Sequence, residues 1–180
     1  EQARDIRRMI GLTRSQARAV ANFRRMLEGD PQAMGEALTR QLRDRRFDPT
    51  ILRSIRTGTR LKREQVDKMV DAYYWRYLNY RAKMIARTES LRASNMGQRA
   101  LWQQAMDQDF LQPERTRRQW ILTGDDRLCE FCLSIRNMNP KGVRLDEPFL
   151  SPDGPVDGPP VHPHCRCTTG LRFISKDEEE

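Results

Sequence analysis

All four cysteines and both histidines of this chain fall between positions 129 and 167. Cys129 and Cys132 form the run CEFC, and His162, His164, Cys165 and Cys167 form HPHCRC. A CxxC turn sets two sulfurs on one side of a tight loop, and a second donor pair can close a tetrahedron with each thiolate about 2.3 Å from Zn²⁺. The 32 residues between Cys132 and Cys165 exceed the loop of a compact zinc finger, but suit a loop that the metal itself staples. Four residues compete for the two remaining places. His162 and Cys165 are favoured, an i, i+3 pair whose turn Pro163 stiffens; Cys167 is the next choice, and a site of all four cysteines is the main alternative. Arg127, Arg136 and Arg166 flank the cysteines and could offset thiolate charge. The cofactor expected is one structural zinc per chain.

Other chemistries use the same residues less well. Two disulfides would consume the four cysteines, but no signal peptide is visible, and bridges within CxxC and CxC would staple the long loop poorly. A thioredoxin-like CxxC would start a helix after a strand within a βαβ pattern, which the sequence does not suggest. For catalysis, neither histidine begins an HxE, and HExxH, a Walker loop and GxSxG are absent from the sequence. With so many soft ligands at hand, a closed structural site is expected instead of an open catalytic one. No enzyme activity is predicted; a zinc-containing nuclease of DNA packaging stands as the alternative, and a plain DNA-binding module as a further one.

The elements that must position these residues are mainly helical. Thr13 with Gln16 reads as a capping box before a helix bearing Ala17, Val20, Phe23, Met26 and Leu27, which Gly29 ends. Asp30 and Pro31 start a second helix carrying Met34, Ala37, Leu38 and Leu42. Asp48 and Pro49 repeat the device for a short helix that Gly58 breaks. Residues 61–106 contain no proline and one glycine, Gly97, and read as one long helix or two with a bend. The aromatic run Tyr73, Tyr74, Trp75, Tyr77, Tyr80 is read as helix packing in preference to base stacking.

The grammar changes at Pro113. Trp120–Leu122 reads as a short strand, 123–127 as a turn, and 171–174 as a closing strand. Six of the ten prolines lie between Pro140 and Pro160, a loop held by something other than secondary structure. The fold class is α+β, mainly α: a helical front (1–58), a long helix (59–112), a small Pro-rich zinc-stapled region with a few short strands (113–175), and an acidic tail (176–180). Metal binding would replace the core that a region of about 60 residues lacks.

Charge is divided along the same line. Residues 1–112 hold 23 Lys and Arg against 13 Asp and Glu, whereas 113–180 hold 10 against 12. The excess is nearly all Arg, which suits phosphate recognition. A polyanion partner is therefore plausible, against the plainer reading of solvated basic helix faces. No apolar run approaches the roughly 18 residues of a membrane span, so a soluble protein with no membrane partner is expected. The chain opens with Glu1 and is read as a piece that further segments could flank.

The blocks MIARTESLRASNMGQRALWQQA, QWILTGDDRLCEFC and GPPVHPHCRCTT resemble, in order and spacing, the signature blocks of the phage Mu F-like head-morphogenesis family, the minor head or minor capsid proteins. The cover is about residues 60–174. The resemblance implies a virion component at the portal vertex or capsid interior, passing through the host cytoplasm during assembly and acting in head assembly, DNA packaging or genome delivery. Implied partners are the portal or major capsid protein, with packaged double-stranded DNA and further copies of the chain as additional candidates. The family's helix motif falls on Arg87, Thr88, Glu89 and Asn95, its turn on Asp125, Asp126 and Arg127, its cysteine pair on Cys129 and Cys132, and its closing motif on His162, Pro163, Cys165, Arg166 and Cys167. His164 occupies a variable place. Arg87 and Glu89, two apart on a helix, cannot face each other; both are expected to anchor the zinc-bound loop onto the long helix.

Overall fold

A computed structural model describes residues 2–124 and 128–175, apart from the side chains of Gln2 and Arg8; the acidic tail lies outside it. The chain divides into two compact units, Glu1–Ala86 and Arg87–Glu180.

The first unit is built from helices α1 (Gln2–Met9), α2 (Arg14–Glu28), α3 (Pro31–Ala37), α4 (Asp48–Thr57) and the first half of α5 (Arg63–Asp107). Local chemistry sets most of the boundaries. Thr13 Oγ1 accepts from Gln16 N at 3.3 Å while Gln16 Oε1 accepts from Thr13 N at 3.1 Å, a complete capping box for α2. Asp30 Oδ1 accepts from Ala33 N at 2.8 Å and Pro31 fills the first position of α3. Gly58 ends α4 with φ +66°, a left-handed cap that costs a residue with Cβ far more.

Two expectations need correction. α3 stops at Ala37 instead of running through Leu42, because Leu38, Thr39 and Arg40 tighten into i→i−3 bonds and Thr39 Oγ1 donates to Glu36 O. Asp48 does not cap α4; it starts the helix, and its carboxylate takes Nε and Nη2 of Arg43 at 3.0 and 2.9 Å.

The core of this unit gathers Phe23, Leu27, Met34, Ala37, Ile51, Val66, Met69, Val70 and Tyr73. Phe23 stacks on Tyr73 at 4.2 Å between centroids, and Tyr77 meets Tyr73 edge-on at 5.0 Å. The aromatic run of α5 thus divides: Tyr73 and Tyr77 pack inward, while Trp75 and Tyr80 stay about half exposed. Asp44, buried between the helices, accepts from Arg46 Nη2 at 2.7 Å and lies 3.3 Å from Arg76 Nη2 on α5.

The second unit holds the rest of α5, strands β1 (Thr116–Ile121) and β2 (Thr168–Phe173), and helix α6 (Glu130–Met138) between them. α5 is one unbroken helix through Gly97. The strands pair antiparallel, Thr116 opposite Phe173 and Ile121 opposite Thr168. β1 buries alternate residues, Thr116, Arg118 and Trp120. Its other edge is bridged at Arg118 by Val143.

The Pro-rich segment is held by two side chains. Arg118, 1% exposed, donates to the carbonyls of Asp157 at 2.8 Å, Glu147 and, at 3.5 Å, Arg144, and its guanidinium lies 5.0 Å from the Phe149 ring centre. Asn139 donates to Ile135 O and Leu150 O and accepts from Leu150 N. Trp120 meets Phe149 edge-on at 5.2 Å, and both pack with Ile135 and three cysteines in one buried cluster.

Candidate metal centre

Three short elements bring the donors together. β1 leads to the start of α6, where Cys129 is the N-cap and its sulfur accepts from Cys132 N at 3.3 Å. A helix N-terminus favours negative charge, so this placement suits thiolates. The second element is the turn His162–Cys165, closed by Cys165 N donating to His162 O at 3.1 Å. Pro163 stands at its second position and His164 at its third, with φ +66°, the pattern of a type II turn. The third is the entry to β2, where Cys167 precedes Thr168.

The five predicted donors form two groups that share Cys132: Cys129, Cys132 and His162, and Cys132, Cys165 and Cys167, with the ligand atoms of each group within 4.8 Å of one another. His162 Nε2 lies 3.0 Å from Cys129 Sγ and 3.2 Å from Cys132 Sγ. Cys132 Sγ and Cys165 Sγ are 3.8 Å apart. Two thiolates on a tetrahedral zinc with bonds of about 2.3 Å are separated by about 3.8 Å, so this pair fits the ion and is not a disulfide; all four cysteines are free. His162 Nδ1 lies 2.8 Å from Pro163 O, a contact that places its proton on Nδ1 and leaves the Nε2 lone pair facing the sulfurs. The donor set therefore fits a soft divalent cation.

Electrostatics point the same way. The hydrogen bond from Cys167 pulls the Cys165 thiol down to about 5 against the effect of burial. Burial, helped by the bond to Cys129, pushes Cys132 up to about 12. Cys167 is raised by the bond it gives Cys165 and by burial. Burial opposes ionisation of Cys129 too, but hydrogen bonds from Cys132 and the neighbouring His162 outweigh it and lower that thiol. Protein groups alone stabilise some of these thiolates at the expense of others; a dication would relieve the conflict.

The predicted motif residues separate. Asn95 is buried, and its Oδ1 accepts from Thr168 Oγ1 at 2.8 Å and Thr169 N at 3.3 Å while Nδ2 donates to Leu91 O at 3.0 Å. It ties α5 to the strand that follows Cys167. Glu89 does not reach the loop as expected: it pairs with Arg92 at 2.7 Å on the exposed face of α5, and Arg87 is exposed as well. Arg166 borders the cluster, and its carbonyl accepts from Thr123 Oγ1 at 3.0 Å. Arg136 donates to Pro140 O at 3.1 Å, so its group serves the end of α6. Asp125, Asp126 and Arg127 lie outside the described residues.

The family described as Phage Mu protein F like protein matches residues 34–170. The chain belongs to this family, which points to phage head morphogenesis. No curated protein and no solved structure matches it. The matched stretch of this Mu F-like chain contains all five donors and Asn95 together with Arg118 and Asn139, which sequence reading did not single out. Arg118 is one arginine in an Arg-rich chain, and only its inward place in β1, between Thr116 and Trp120, marks it. The sulfurs of CEFC mask the start of α6, whose signal is the apolar spacing of Phe131 and Ile135. Among the described residues no helix is long and apolar enough to cross a membrane.

Proposed function

We propose that this Mu F-like protein is a structural, non-catalytic minor head component, placed at the portal vertex or capsid interior, and that its second unit is stapled by one zinc ion. The observation that carries the reading is the convergence of five soft donors, drawn from a helix N-terminus, a Pro-stiffened turn and a strand entry, inside the stretch that defines the family. Cys129, Cys132, His162 and Cys165 are the ligands, with Cys167 as the neighbour that donates to Cys165. When bound, the ion neutralises the thiolates and takes the place of a larger core. The residues do the rest: Cys129 caps α6, His162 is oriented by Pro163, and Asn95 ties the assembly to α5. Partners are the portal or major capsid protein, and DNA in the filled head.

Elemental analysis of protein purified without chelator tests the staple. One zinc per chain, abolished by Cys132→Ser and retained by Cys167→Ser, is expected; a metal-free wild type with native-like stability would sink it. Mass spectrometry of purified heads from the phage or prophage encoding the chain tests the location. The protein should be present in few copies, and its absence from heads would overturn the virion reading. Plasmid incubated with the protein and Mg²⁺ should remain unnicked.

A further inference from the structure

The corner joining α4 to α5 carries a charge distribution that folding does not explain. Residues 49–63 contain Arg53, Arg56, Arg60, Lys62 and Arg63 and no acidic residue, and all five cations are exposed. Elsewhere in the first unit four cations meet carboxylates: Arg24 with Glu28 and Asp67, Arg43 with Asp48, Arg46 and Arg76 with Asp44. Two carboxylates beside the corner are engaged. Glu28 and Asp30 border the same cleft as Arg60, but Glu28 pairs with Arg24 and Asp30 caps α3. Glu64, inside the first turn of α5, is the next acid along the chain.

The corner is also built. Ser54, buried, donates to Thr59 O, Thr57 Oγ1 donates to Arg53 O at 2.9 Å, and Thr59 N donates to Thr57 Oγ1 at 3.4 Å. Gly58 supplies the left-handed turn. Gln65 Oε1 accepts from Lys62 N at 2.9 Å and fixes the start of α5. Arg53 and Arg56, three apart, share one face of α4. Lys62 and Arg63 stand at the start of α5, where the helix dipole opposes positive charge and favours anions. A fixed turn thus presents five cations, two of them where they are unfavourable unless an anion arrives.

We infer that the α4–α5 corner is the surface through which the chain holds the phosphate backbone of double-stranded DNA. Four of the five cations are Arg, whose fork matches phosphate oxygens in two-point contacts. The first unit as a whole holds 20 Lys and Arg against 10 Asp and Glu, while the second holds 13 against 15, so approach of a polyanion is steered to this unit. With no base-reading element at the corner, binding is independent of sequence. The choice of duplex DNA among polyanions rests on the virion reading; the surface does not.

The test is fluorescence anisotropy of a labelled duplex with the full chain across a salt series. The triple variant Arg53→Gln, Arg56→Gln, Arg60→Gln is compared with Arg14→Gln, Arg18→Gln, Arg25→Gln on α2, which removes the same charge from exposed positions. The wild type should bind duplexes of unrelated sequence equally, with affinity falling steeply as salt rises. The corner variant should lose at least about tenfold in affinity, its log–log salt slope smaller by roughly two to three, whereas the α2 variant should keep its slope. Equal losses in the two variants, or a corner variant that binds like wild type, would overturn the assignment. So would a wild type that ignores DNA yet binds polyglutamate through the corner, which would mark an acidic protein as the partner. None of these results bears on zinc content or on presence in heads.

Discussion

The side-chain amide of Asn95 uses both ends: its oxygen takes two donors from β2 and its nitrogen serves Leu91 on its own helix. Removing such a group leaves the Thr169 N–H, itself buried, without a partner. Asn95→Ala should therefore cost the second unit about 2–3 kcal/mol, read as a lowered denaturant midpoint. Glu89→Lys, breaking only an exposed i, i+3 pair, should cost under about 1 kcal/mol and leave zinc content unchanged. A severe effect from Glu89→Lys would restore the anchoring role that its place in the motif suggested. In the first unit, Asp44 is the residue to titrate. Its hydrogen bond from Arg46 holds the carboxyl down to about 2, against the ordinary value of 3.8, with Arg76 assisting against burial. A depressed carboxyl contributes stability above its unfolded value and loses it as pH falls through the folded one. The difference in urea midpoint between wild type and Asp44→Asn should be constant above about pH 4.5 and shrink as pH falls from about 4 to 2. Because Arg46 and Arg76 are 82% and 46% exposed, a difference of only about 1 kcal/mol is expected at neutral pH.

At the scale of elements, what sequence discloses depends on how local its cause is. The capping box of α2, the Asp30–Pro31 start of α3 and the Gly58 stop of α4 were legible because each is settled within a few residues. Asp48 reads as a cap but is not one, because Arg43, five positions before it, takes its carboxylate in a pairing that no capping pattern announces. The Pro-rich loop was legible as a loop, but the group that holds it was not. Arg118 sits 26, 29 and 39 positions from its three carbonyl partners, and no local pattern announces such contacts. Arg118→Met keeps the bulk and loses these bonds, leaving three carbonyls without the group that gathers them. The expected cost is about 2–3 kcal/mol, with faster proteolysis within 144–157 while the first unit keeps its resistance. Gly142 belongs to the same arrangement: with φ +83°, a Cβ there would lie 2.5 Å from Arg118 O, so the turn after α6 can approach β1 only as glycine.

For the whole molecule, the two units have different sources of stability. The first buries a continuous apolar cluster around Phe23, Tyr73 and their neighbours. The second has a buried cluster in which three of six members are cysteines, so its core and its donor set overlap. Composition foretold this division: proline and cysteine crowd into the back part and arginine into the front. The donors were legible as a set because soft ligands are rare and were clustered, whereas their grouping around Cys132 depends on how α6 and β2 meet. Chelation followed by hydrogen exchange should expose the amides of β1, α6 and β2 within the dead time of a mild chelator treatment, while amides of α2, α4 and the first half of α5 stay protected. Uniform loss of protection would mean that the units stand or fall together.

One consequence concerns replacement more than energetics. His164 occupies the third position of the turn that places His162 beside Cys165, with a backbone angle that most side chains resist. Any replacement there meets one conformational filter: glycine, asparagine and aspartate adopt that angle with little strain, while valine and isoleucine do not. The position is thus open in chemistry and closed in shape.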